Sequence, residues 1–103
     1  MEMVMDFKSF SDFYPFYLSQ HSNPFCRKLH FIGTCCVISL LILFFFTGEL
    51  WLLSLTPIVG YGFAWAGHLM YEKNRPATFK YPLYSLMGDF KMFWQILSGK
   101  ITF

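Results

Sequence analysis

Charge is what this chain of 103 residues has least of: Asp, Glu, Lys and Arg make up 14% of it, against about a quarter in soluble domains. Between residues 29 and 71 the single formal charge is Glu49, with Arg27-Lys28 before the run and Glu72-Lys73 after it. No soluble domain of this size hides so long an apolar run cheaply, so the expected solvent is a membrane. A net charge of +2 is too small to argue for nucleic acid as a partner. Cysteine is scarce: Cys26, Cys35 and Cys36 form an odd set with no CxxC pair, and they read as small buried hydrophobes. A Gly-rich phosphate loop and a GxSxG nucleophile elbow are missing, which sets aside the enzymes built on them. The first residues have neither the basic region nor the short apolar core of a signal peptide, so the mature chain is expected to start at Met1.

What is present is apolar and aromatic, at 55% and 22% of the residues. The length allows one domain, residues 1–103. Residues 7–20 mix seven apolar or aromatic side chains with Lys8, Ser9, Ser11 and Asp12, an amphipathic segment interrupted by Pro15 that is expected to lie on the membrane. Ser22-Asn23-Pro24 reads as a helix start, because Asn caps free amides and Pro is tolerated at the first helical position. A first transmembrane helix is therefore expected over 24–46. Thr47-Gly48-Glu49 makes a tight turn, and a second span over 50–72 is expected to be kinked by Pro57, with Gly60, Gly62 and Gly67 allowing close helix approach. Asn74-Arg75-Pro76 signals another turn. Residues 82–97 then form an amphipathic helix, with Leu83, Leu86, Met87, Phe90, Phe93, Trp94 and Leu97 on one face and Ser85, Gly88, Asp89, Lys91 and Gln95 on much of the other. The expected fold is an all-α integral membrane protein: a helical hairpin of two transmembrane helices with amphipathic interfacial helices at both ends.

Arg27, Lys28, Lys73, Arg75 and Lys80 flank one end of this hairpin, which puts both termini in the cytoplasm. The expected location is a bacterial inner membrane, or the endoplasmic reticulum of a eukaryote.

All three histidines, His21, His30 and His68, lie at that same end. In an antiparallel pair turning near Gly48, positions symmetric about the turn share a depth, and His30 and His68 are such positions. Pro24 ends the preceding segment and lets the chain before His21 fold back to join them. Three neutral imidazoles suit Fe, Zn or Cu, and three protein ligands leave positions open for substrate and oxygen. Glu72 and Asp89 are the carboxylates within reach, as ligand, orienting group or proton acceptor. The membrane di-iron desaturases are excluded, since three histidines cannot supply their His-rich boxes.

At these residues the chain resembles a known family. His21-Ser22-Asn23-Pro24, Arg27-Lys28-Leu29-His30 with Gly33-Thr34, Gly67-His68, Glu72-Lys73-Asn74-Arg75-Pro76-Ala77-Thr78-Phe79 and Ser85-Leu86-Met87-Gly88-Asp89-Phe90 look like the signature blocks of the 2-hydroxy fatty acid dioxygenases. The resemblance extends over residues 13–99, and the chain, shorter than the fungal members, resembles the compact bacterial ones. It implies Fe(II) held by His21, His30 and His68, and an α-oxidation in which a 2-hydroxy fatty acid and molecular oxygen give an acid one carbon shorter with release of carbon dioxide. The substrate carboxylate is expected at Arg75, whose planar fork suits it. Asn74 and Asn23 are further substrate-binding candidates, and Glu72 or Asp89 is the expected acceptor of the hydroxyl proton. Membrane lipid is an expected neighbour, and a homo-oligomer is compatible with the chain. Two other readings stand beside this one: a non-enzymatic lipid-binding or scaffold module, and a haem protein with His30 and His68 as axial ligands.

Overall fold

The computed structural model describes residues 7–75 and 80–103, so residues 76–79, which carry part of the family resemblance and of the turn signal, lie outside the description. The described residues form helices and no strand.

Helix α1 spans Phe10–Ser19 and is capped by Ser9, whose hydroxyl accepts from the Asp12 amide at 3.2 Å. It passes through Pro15 without a break. The hydrogen bond lost there is to the carbonyl of exposed Ser11, where solvent can replace it. Helix α2 spans Pro24–Thr47, with Asn23 Oδ1 accepting from the amides of Phe25 at 2.8 Å and Cys26 at 3.4 Å. It ends at Gly48, whose φ of 70° is the left-handed conformation that favours glycine. Helix α3 spans Leu50–Gly67. It continues into a π-helical turn, His68–Glu72, closed by Lys73 in the left-handed region at φ 57°. Helix α4 spans Pro82–Leu97.

Helices α2 and α3 run antiparallel at close range. A Cβ on Gly67 would stand 3.0 Å from Cys26 Sγ, one on Gly33 would stand 2.8 Å from Phe63 Cβ, and one on Gly60 would stand 3.2 Å from Val37. Gly62 has open space instead and plays no part in this contact. Both helices are long and apolar enough to cross a membrane. They keep much of their apolar surface outward, with Phe45 90% and Phe46 86% exposed at the turn.

The dry core lies elsewhere. Phe13, Tyr14 and Tyr17 of α1 and Met92 of α4 are buried together, with Phe7, Phe10, Phe16, Tyr81 and Tyr84 packed around them. Helix α4 presents its small and polar face to this core: Ser85, Gly88 and Met92 are buried, whereas Leu83, Leu86, Met87, Trp94 and Leu97 point outward. The reason is hydrogen bonding. Tyr14 donates to Gln95 Oε1 at 2.5 Å and Tyr17 donates to Asp89, so the two buried phenols draw the polar face of α4 toward α1. Of the cysteines, Cys26 is buried, Cys35 and Cys36 are partly buried, and all three are free.

Candidate metal centre

The α1–α2 turn, the second helical turn of α2 and the π turn deliver His21, His30 and His68 to one point. The three side chains are 1%, 4% and 2% exposed. Their ring centroids are 4.4 Å (His21–His30), 4.4 Å (His21–His68) and 5.1 Å (His30–His68) apart, at interplanar angles of 75–88°. Each offers a ligand atom within 4.8 Å of the others, an arrangement able to hold a metal ion.

The second nitrogen of each ring decides what the first can do. His21 Nδ1 is 2.6 Å from the Tyr17 carbonyl, His30 Nδ1 is 3.0 Å from the Cys26 carbonyl, and His68 Nδ1 is 2.7 Å from Asn74 Oδ1. A carbonyl only accepts, so each Nδ1 carries the proton. At Asn74 the amide orientation is fixed by its NH₂ group, which donates to Gln20 Oε1 at 3.0 Å and to the Gln20 carbonyl at 3.2 Å. All three Nε2 atoms are therefore bare lone pairs.

Yet His21 Nε2 and His30 Nε2 are 3.0 Å apart. With both lone pairs bare, this spacing suits a shared cation, whose charge would offset the repulsion between two acceptors. Metal–imidazole bonds of about 2.0–2.1 Å at a right angle place two nitrogens about 3 Å apart. The donor set thus fits an Fe, Zn or Cu ion with open coordination positions, and the Nδ1–H···O contacts are those that orient metal-ligating imidazoles. A macrocycle between His30 and His68 does not fit, because the rings are too close and His21 stands against both.

Burial, and then the neighbouring His30 and His68, push the His21 pKa well below its ordinary value and keep the ring neutral. Tyr17 stacks on His21 with centroids 4.0 Å apart and donates its hydroxyl to Asp89. Asp89 Oδ1 in turn lies 4.0 Å from His30 Nε2. Burial pushes the Asp89 carboxyl up to about 7, with the Tyr17 hydrogen bond acting the other way. Burial and then the Asp89 charge push the Tyr17 phenol well above its ordinary range.

The other site candidates divide. Asp89 faces the centre and also lines a cavity of about 360 Å³ that begins at His30 and runs between α2, α3 and α4. Glu72 takes the Asn23 amide at 2.5 Å and the Ser22 hydroxyl at 3.2 Å, tying the α1–α2 turn to the π turn. Residues His68–Glu72 form a π turn with a longer hydrogen-bonded loop, so Glu72 does not share an α-helical face with His68. Asn23 uses its side chain to cap α2. Asn74 reaches back to His68 after the chain reverses at Lys73, and exposed Arg75 follows it. Sequence reasoning missed Tyr17, Cys26 and Gln20. Tyr17 lies four residues before His21 and Cys26 four before His30, a spacing that brings each carbonyl to the following imidazole.

A buried cluster of three histidines able to hold a metal ion, at one end of an antiparallel helix pair and with His30 lining a mostly apolar cavity, defines the class of helical protein. The chain matches the 2-hydroxy-palmitic acid dioxygenase Mpo1-like family over residues 7–101 and belongs to that family. No curated protein and no solved structure matches it.

Proposed function

We propose that this protein is an Fe(II)-dependent dioxygenase of the membrane, which converts a 2-hydroxy fatty acid and oxygen into the acid one carbon shorter, carbon dioxide and water. The observation that carries this reading is the convergence of three bare Nε2 atoms, each fixed by its own Nδ1–H···O contact, with His30 of the three lining the polar end of an apolar cavity. Family membership supplies the substrate class.

The reaction needs no second organic cofactor. Cleaving the C1–C2 bond and oxidising C2 from alcohol to acid release four electrons, the number that reduces one oxygen molecule. Fe(II) held by His21, His30 and His68 would supply the redox chemistry that couples these two half-reactions.

The residues around it bind, orient and move protons. Asp89, beside His30 and at the cavity end, accepts the proton of the 2-hydroxyl group, and Tyr17 holds that carboxylate in place. Arg75 pairs with the substrate carboxylate. Asn74 fixes the His68 ring through its Oδ1. Asn23 and Glu72 hold the α1–α2 turn that carries His21, an orienting role in each case.

Helices α2 and α3 cross the bilayer and place both termini on the cytoplasmic side, with the metal centre at that surface. Their outward apolar side chains, Ile42, Phe45, Phe46 and Leu50 among them, are surface of the kind that lipid covers. Protein loaded with Fe(II) without oxygen, then given oxygen and 2-hydroxypalmitate, is expected to yield pentadecanoate. Absence of product from iron-loaded protein would overturn the assignment.

A further inference from the structure

The cavity that starts at the metal centre has a direction. Its polar end is His30 and Asp89, and on α2 it continues past Thr34 to Val37, positions four and three residues apart and hence on one helical face. On α3 it ends at Thr56 and Pro57. The hydroxyl of Thr56 donates to the Leu53 carbonyl at 2.8 Å, so its proton needs no acceptor from whatever lies beside it. From His30 to Val37 the groove advances about 10 Å along α2.

We infer that this groove holds the single acyl chain of the substrate, with its 2-hydroxy acid head at His30 and Asp89 and its tail leaving past Val37 and Thr56. The inference rests on the reaction proposed above for the identity of the head group. Continuity argues for this occupant, since the residues that begin the groove are those that border the metal centre. An extended chain with bonds of about 1.5 Å and angles near 111° advances about 1.25 Å per carbon, so the groove covers about eight carbons. Val37 and Thr56 therefore flank the chain where a short substrate ends and a long one continues. They determine chain-length selectivity without touching the reacting atoms.

Two measurements test this. A sixteen-carbon 2-hydroxy acid carrying a photoreactive diazirine about eight carbons from its carboxyl is irradiated with the unaltered protein, and the labelled residues are mapped by mass spectrometry. Adducts are expected at Val37, Thr56 or Pro57. Adducts confined to the outward residues Ile42, Phe45 and Phe46 would overturn the inference, whether or not the protein turns the acid over. Groove labelling without turnover would instead sink the reaction and leave the groove assignment standing.

The second measurement compares 2-hydroxypalmitate with 2-hydroxyoctanoate as substrates. Val37→Trp and Thr56→Trp are each expected to lower the palmitate-to-octanoate ratio of kcat/KM by about tenfold or more. Ile42→Trp, on a side chain 52% exposed outside the groove, is expected to leave that ratio unchanged. An unchanged ratio in both groove variants that retain their metal would contradict the assignment, and the labelling result decides the matter if neither variant folds.

Discussion

The proton on each imidazole of the centre sits where a neighbouring oxygen holds it, and two of those oxygens are backbone carbonyls that substitution cannot remove. The third is the side chain of Asn74, which makes it the point at which the arrangement can be tested. Asn74→Ala frees His68 Nδ1 and removes the tether to Gln20; metal affinity measured by chelator competition is expected to fall about 10- to 100-fold, in the range typical for groups that orient a ligand. Asp89→Asn tests a different role. It keeps the size of the side chain but cannot take a proton from the substrate, so turnover is expected to fall about 10²- to 10⁴-fold while metal binding persists. Loss of the metal along with turnover would place Asp89 among the groups that build the site. Histidine positions were legible from the sequence because only three exist and all flank one apolar run. Two of their three partners were not, since a backbone carbonyl carries no residue-type signal.

Among the elements, the cap at Asn23-Pro24 and the left-handed Gly48 were readable from residue type alone. The π turn at His68–Glu72 was not, because a widened turn has no composition of its own; it accompanies the local return of Asn74 to His68. The orientation of α4 was equally hidden. Its apolar stripe suggests a buried face, yet the phenols of Tyr14 and Tyr17 require Gln95 and Asp89, and the small residue Gly88 admits the Tyr17 ring. A Cβ at Gly88 would stand 2.8 Å from that ring. Gly88→Ala is thus expected to destabilise the protein by about 1–3 kcal/mol, as overpacking of a filled core does. Thermal unfolding in detergent provides the measurement, and an unchanged midpoint would show that the α1–α4 contact yields freely.

At the scale of the whole molecule, the aromatic core between α1 and α4 is the part packed like a soluble protein, and α2 and α3 are the part long and apolar enough to cross a membrane. This division explains how so small a chain can hold a buried polar centre. The aromatic layer closes the site from one side, and the close α2–α3 contact at Gly33, Gly60 and Gly67 closes it from the other. In vesicles, brominated lipids are expected to quench Trp51, which is 58% exposed near the turn, and protease added on the Trp51 side should spare both termini. Cleavage of either terminus from that side would contradict a two-span topology with both ends together.

The central claim joins metal, oxygen and lipid in one stoichiometry. Oxygen uptake by iron-loaded protein with 2-hydroxypalmitate, read beside the pentadecanoate formed, tests it most directly. Equal amounts of oxygen consumed and pentadecanoate produced, abolished in His21→Ala, His30→Ala and His68→Ala, are the predicted result. Iron bound by the three histidines with no uptake above the lipid-free background would contradict it.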